Sequence, residues 1–109
     1  MDRPEFYRFH NGEKAVQAFD AAEFDTRLTG LREIMAAAGV EACVFTSMHA
    51  IAYYSGFLYC AFGRPYGLIV TATQDVTISA GIDAGQPWRR SHGDNITYTD
   101  WTRDNYWRA

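Results

Sequence analysis

Phe24, Leu28, Leu31, Ile34, Met35 and Ala38 recur at helical spacing between Asp20 and Gly39, and a β-rich apolar run starts on the next residue. That junction constrains the fold more than any other feature of the chain. Asp20 is placed as an N-cap, with Glu23 three residues on completing a capping box. Gly39 is placed as a left-handed C-cap. Arg27, Arg32 and Glu33 fall off the apolar face. Gly30 inside the helix costs about 1 kcal/mol relative to alanine, which the stripe outweighs. Residues 40–46 are mostly apolar and predict a strand buried on both faces. A helix that passes into a strand with so short a link belongs to an α/β layer.

The remaining elements follow from shorter signals. Residues 47–60 are too long and aromatic for a simple loop, and predict a short helix around 51–55 with a turn at Gly56. Residues 66–72 and 76–80 read as apolar strands, and the Thr73-Gln74-Asp75 link makes them an antiparallel hairpin. A helical turn is predicted within 83–90, a fourth strand at 95–99, and a helix beginning at Asn105 that Asp104 caps. The expected fold class is α/β, with a mixed β-sheet and flanking helices. Residues 1–18, with an Asn11-Gly12 turn and no clear period, read as an N-terminal arm, and residues 19–109 as the domain proper.

At 109 residues the chain is at most one domain. Its 48% hydrophobic and 21% charged residues fit a globular protein and argue against disorder. The aromatic fraction, 16%, is weighted late: Trp88, Trp101, Tyr106 and Trp107 form a surface that calls for a cover. A net charge of −3 and a pI near 5.5 speak against a nucleic-acid partner. Arg89-Arg90 beside Trp88 reads as a local cation–π contact rather than a base-stacking platform. Cys43 and Cys60 sit in apolar and aromatic runs and read as small buried hydrophobes in a reducing compartment. The charged start lacks the apolar core of a signal peptide, and no run reaches membrane-spanning length, so the expected location is cytoplasmic, with no membrane partner.

No catalytic set can be assembled from these residues. His10, His49 and His92 are not at metal-ligand spacings. His10 and His92 read as surface residues and His49, beside the aromatic turn, as a structural hydrogen-bond partner. Ser47 and Ser55 lack a nucleophile-elbow context, and the glycines form no dinucleotide fingerprint. Asp83, Asp94, Asp100 and Asp104 are spaced as turn and cap residues. One motif does carry a chemical proposal: Phe62-Gly63-Arg64-Pro65-Tyr66. Pro65 fixes its own φ and biases Arg64 toward an extended backbone, while Gly63 permits a tight turn. A guanidinium so placed is either a planar fork ready for a carboxylate or phosphate, or a loop arginine paired with a nearby acid.

The segments Tyr53-Tyr54-Ser55-Gly56-Phe57, Phe62-Gly63-Arg64-Pro65-Tyr66, Gly85-Gln86-Pro87-Trp88-Arg89-Arg90, Tyr98-Thr99-Asp100-Trp101 and Arg103-Asp104-Asn105-Tyr106 together resemble the N-terminal domain of the creatinase family. That family belongs to the prolidase-like, pita-bread superfamily. The tyrosine-rich turn points only to the superfamily; the Phe-Gly-Arg-Pro-Tyr and Gly-Gln-Pro-Trp-Arg-Arg segments are similar to creatinases in particular. The resemblance implies that the chain is the first part of an N-terminal domain, truncated before a large catalytic domain. It implies a homodimeric enzyme that hydrolyses creatine to sarcosine and urea. The base, a histidine helped by glutamates, would lie in the missing domain, with no metal and no cofactor needed. It also implies that the Phe-Gly-Arg-Pro loop reaches the neighbouring subunit's site, where Arg64 binds the creatine carboxylate and Phe62 packs on the substrate. No catalytic residue is expected within this chain, which alone is expected to be inactive. Two alternatives stand beside this reading: the matching domain of a metal-dependent prolidase or aminopeptidase P, and a stand-alone non-catalytic binding module of the same fold.

Overall fold

The computed structural model describes residues 6–8, 13–14, 19–57, 65–80, 86–99 and 105–109. Helix α1 spans Ala21–Ala38. Its N-cap is Asp20, whose Oδ1 accepts from the Glu23 backbone N–H at 3.0 Å. The Glu23 carboxylate turns down the helix to Arg27, 3.1 Å away, rather than completing the box. Gly39 takes the left-handed conformation, φ 71°, and its N–H and that of Val40 close on the Ala36 and Met35 carbonyls. Phe24, Leu28 and Met35 are buried, whereas Ile34 is 69% exposed. At about 100° per residue, Ile34 falls roughly a quarter-turn from the centre of the stripe, so it lies on the shoulder of the helix.

Six further elements build the rest of the layer: β2 (Ala42–Phe45), α2 (Met48–Ser55), β3 (Gly67–Thr71), β4 (Asp75–Ala80), α3 (Gln86–Arg90) and β5 (Asp94–Tyr98). They are joined by β1 (Phe6–Arg8) at the start and α4 (Asn105–Arg108) at the end. The described strands form one mixed sheet of order β1-β5-β4-β3-β2. The pairs β2/β3, β3/β4 and β1/β5 are antiparallel, and β4/β5 is parallel. The predicted hairpin is β3–β4, closed by the Thr71 N–H on the Gln74 carbonyl at 2.9 Å. The Thr71 hydroxyl oxygen also accepts from the Thr73 and Gln74 amides, which ties the turn to the strand before it.

Two strands depart from the sequence reading. The run predicted as a strand buried on both faces is β2, an edge strand with Ala42 and Val44 exposed and only Cys43 and Phe45 turned to the core. The helices α1 and α2 cover one face of β2; its other face lacks such a cover among the described residues. Within residues 1–18, where no period was legible, Phe6–Arg8 pairs with β5. Three residues are too short a stretch for alternation to register.

The core under α1 and α2 joins Leu28, Met35, Ile51, Phe57, Leu68 and Val70. The Arg27 guanidinium ties the two helices together, donating to the Tyr53 carbonyl at 2.9 Å and lying over the Phe19 and Tyr53 rings. Farther across the same sheet face the residues become polar yet stay buried. Asn95 Nδ2 reaches the Thr77 carbonyl, the Thr77 hydroxyl and the Ser79 hydroxyl at 2.8–3.1 Å, and Asn95 Oδ1 accepts from Thr97. This ladder holds the parallel register Thr77↔Asn95 and Ser79↔Thr97, because a one-residue slip would bury those groups unpaired. The reverse face packs Ile78, Ala80 and Tyr98 against Tyr106 of α4. Tyr106, expected to lack cover, is buried, while its neighbour Trp107 is 76% exposed.

Candidate functional site

Phe62 and Arg64 lie outside the described residues, and the described residues on either side of them form two fixed posts. The upstream post is the end of α2. There Gly56 is a left-handed cap, φ 79°, and the Ser55 hydroxyl donates to the Ile51 carbonyl while accepting from the Phe57 N–H. The downstream post is Pro65-Tyr66-Gly67. The Phe57 and Tyr66 rings meet edge to face, 5.8 Å between centroids, so the two ends of the loop stand side by side in the core.

The downstream post is also held through its main chain. Tyr98 Oη donates to the Pro65 carbonyl at 2.6 Å, and Tyr106 Oη donates to the Tyr66 carbonyl at 3.2 Å. The two phenol rings support each other, 5.6 Å apart and near perpendicular. Burial pushes the Tyr106 phenol above its ordinary value, so it remains a protonated donor. Gly67 makes the approach sterically feasible, since a Cβ there would lie 2.7 Å from Tyr106 Oη and 3.3 Å from the Phe45 carbonyl. Beside Gly67 a cleft of about 140 Å³ opens between Val44, Ile69, Ile78 and α4.

Topology places Pro65-Tyr66-Gly67 at one end of the sheet. Gly67 at the start of β3 pairs with Ile78 near the end of β4, and Ala80 pairs with Tyr98 at the end of β5. The start of β3 and the carboxyl ends of the parallel strands therefore share one end of the sheet. Loops at such an end are a recurrent location for ligand sites on α/β sheets.

The ionisable residues gather at the opposite end, around Asp75. The Lys14 ammonium donates to the Trp88, Ser91 and Gly93 carbonyls at 2.6–2.7 Å and lies over the Trp88 indole, 4.5 Å from its centroid. This is a cation–π contact at Trp88 made by Lys14, where the sequence had pointed to the adjacent arginines. Burial pulls Lys14 down to about 8, and the Asp75 carboxylate works against that shift. His92, expected at the surface, is half-buried: its ring stacks on Phe24, its Nε2 lies 2.9 Å from Asp25 Oδ1, and its backbone N–H donates to the Ser55 carbonyl. His49 is exposed in the first turn of α2. Arg8 pairs with Asp94 across β1 and β5.

Burial raises the Asp75 carboxyl above its ordinary 3.8, against the pull of His92, Arg32 and Lys14. Its Oδ2 is buried without a hydrogen-bond partner among the described residues. A raised folded-state pKa means that the native chain holds this proton more tightly than the unfolded one. The Asp75 contribution is therefore most favourable below 3.8 and is lost as pH rises through the raised value. Asp75→Asn removes that slope. Its melting temperature at pH 7 should equal or exceed that of the parent, with the difference vanishing toward pH 3. A clear loss at pH 7 would show that attraction to Lys14, Arg32 and His92 outweighs the cost of burying the charge.

The family model of the Creatinase/Prolidase N-terminal domain matches residues 27–103. The chain belongs to this family. It is 56% identical over 97 residues to a creatinase of Bacillus sp. (strain B-0618), an alignment that takes in 89% of this chain and 24% of that protein. The chain thus spans about a quarter of the length of that relative. The creatinase/prolidase N-terminal domain of an X-Pro dipeptidase from Streptococcus pyogenes superposes with a TM-score of 0.67 at 19% identity, covering 76% of this chain and 63% of that one. The dipeptidase PepE of Mycobacterium ulcerans gives 0.59 at 19% identity, covering 77% of this chain and 24% of that one. At those identities the two structures speak for the fold, in agreement with the mixed sheet and flanking helices described above. Among the described residues no helix is long and apolar enough to cross a membrane.

The sequence singled out the segment 62–66 but not the residues that hold its downstream end. Tyr98 and Tyr106 stand in segments that carry the family resemblance, yet nothing in their spacing pairs position 98 with position 65 or position 106 with position 66. Only the parallel β4/β5 pairing and the return of α4 bring them there.

Proposed function

We propose that this chain is the N-terminal part of a creatinase, which hydrolyses creatine to sarcosine and urea. The observation that carries the reading is the 56% identity to a creatinase across 89% of the chain. In this reading residues 1–18 are an arm preceding a domain that runs from residue 19, and the whole enzyme is a cytoplasmic homodimer with its catalytic domain downstream. Arg64 binds the substrate carboxylate as a bidentate fork, and Phe62 packs on the substrate. Anchoring that end of creatine leaves the guanidinium carbon at the far end facing the base and water of the catalytic domain. Water gives a proton to the base of the catalytic domain as its oxygen bonds to that carbon, and the bond to the sarcosine nitrogen breaks as that nitrogen takes the proton back from the base. Urea leaves as the second product. The clamped loop base described above supports this division of labour, because an anchor must hold still while the chemistry proceeds elsewhere.

The test is a substrate panel on the full-length protein. Creatine should yield urea and sarcosine in equal amounts, with no loss on treatment with a chelator, and an X-Pro dipeptide should remain intact. A polypeptide of these 109 residues alone should release no urea, since this reading puts the base in the downstream domain. Dipeptide cleavage that disappears with chelator, together with no urea from creatine, would replace this reading by the metallopeptidase one.

A further inference from the structure

We infer that Tyr98 and Tyr106 are positioning residues for Arg64: by holding the two carbonyls that follow it in the chain, their hydroxyls fix the base from which its guanidinium extends. The inference rests on the anchor role of Arg64 proposed above and adds the residues that would make that role work.

The argument is one of covalent geometry. The Tyr98 hydroxyl holds the Pro65 carbonyl and the Tyr106 hydroxyl holds the Tyr66 carbonyl. The Tyr66 side chain is buried against Phe57, and Gly67 is locked into β3 opposite Ile78. Each residue from 65 to 67 is therefore tied down. Going back from the held Pro65 carbonyl, the proline ring fixes φ and the Arg64–Pro65 peptide is planar. The proline also narrows the ψ of the residue before it. The support that the two hydroxyls give to the Pro65 and Tyr66 carbonyls is therefore passed on toward position 64 through few free torsions. Two aromatic rings that touch each other act as one rigid support, and each donates from a position that a phenylalanine would leave empty.

A merely structural role has to be separated from this. Two hydroxyls that satisfy buried carbonyls would stabilise the fold whether or not Arg64 touched a substrate. The two accounts differ in coupling to Arg64. If the tyrosines act through it, their effect on substrate binding disappears once the guanidinium is gone, while their effect on stability persists.

The test uses the full-length enzyme, creatine saturation curves and thermal melts on Tyr98→Phe, Tyr106→Phe and Arg64→Ala, and on each tyrosine variant combined with Arg64→Ala. Each Tyr→Phe change removes one oxygen and keeps the ring, and if one variant fails to accumulate the other carries the same comparison. Tyr98→Phe and Tyr106→Phe should each raise the KM for creatine about five- to tenfold, the scale of one lost hydrogen bond, with a smaller change in kcat. In the Arg64→Ala background the same changes should leave KM within twofold while still lowering the melting temperature. A fall in melting temperature with unaltered KM in the single tyrosine variants would overturn the positioning role and leave the anchor intact. So would equal KM increases in both backgrounds. An Arg64→Ala enzyme with the parent's KM and kcat would overturn the anchor itself, and the positioning role with it.

Discussion

With Arg64 as the substrate anchor proposed above, Arg64→Ala in the full-length protein should lower kcat/KM for creatine by about 2–5 kcal/mol, roughly 30- to 5,000-fold, the range for removing one partner of a buried charge pair. The size of the effect comes from what is left behind. A carboxylate stripped of water with no cation opposite loses its hydration and gains nothing in return. Arg64→Lys should restore only part of the loss, because an ammonium keeps the charge but not the planar fork. If the contact is equally strong in the ground and transition states, the change falls chiefly on KM; if it also sets the angle at which water meets the guanidinium carbon, kcat falls with it. An arginine that only ties down its own loop predicts a lower melting temperature and ordinary saturation kinetics per folded molecule. Steady-state kinetics and thermal melting of both variants separate the two.

The fold was legible wherever a local rule acts alone. Asp20 and Gly39 cap α1 because the carboxylate and the left-handed backbone answer needs of the helix itself. The β3–β4 hairpin followed from a short polar link between two apolar runs. The failures share a different cause. Whether residues 40–46 are covered on both faces depends on where β2 falls in the sheet order, and a sequence of apolar residues looks much the same at an edge as in the centre. His92 was read as a surface residue because it stands in a turn, yet α1 brings Phe24 against its ring and Asp25, 67 residues away in the chain, against its Nε2. The cation over Trp88 comes from Lys14 for the same reason. As for the candidate site, the segment 62–66 drew notice for its glycine, proline and arginine, which act on adjacent residues, and its role remains the proposal made above. The residues that hold its downstream end did not, since Tyr98 and Tyr106 meet it only through tertiary pairing.

Phe57→Ala should be the most damaging single truncation near that loop, costing about 3–5 kcal/mol. Phe57 is 1% exposed and belongs to the cluster that seals α1 and α2 onto β3. Its loss would open a cavity bordered by β3, a strand already paired on both sides, and by Tyr66, whose carbonyl is tied to Tyr106. Neither wall can collapse cheaply, which favours the upper part of the range. Set against a stability of about 5–15 kcal/mol for an ordinary domain, the change removes a large share of it. Phe57→Leu, which keeps most of the buried volume, should cost clearly less. In the full-length protein the local measurement is amide hydrogen exchange. Protected amides of β3 and α2 should exchange roughly two to four orders of magnitude faster in Phe57→Ala, as their opening free energy falls by that amount. Creatine binding should weaken as well, because Phe57 braces Tyr66 and Tyr66 follows the arginine by only two residues. An exchange rate altered by less than about tenfold would mean that the core does not close on this ring. A large loss of protection with unchanged KM would separate the two roles, leaving Phe57 as a pillar of the fold and the loop braced by its tyrosine hydroxyls alone.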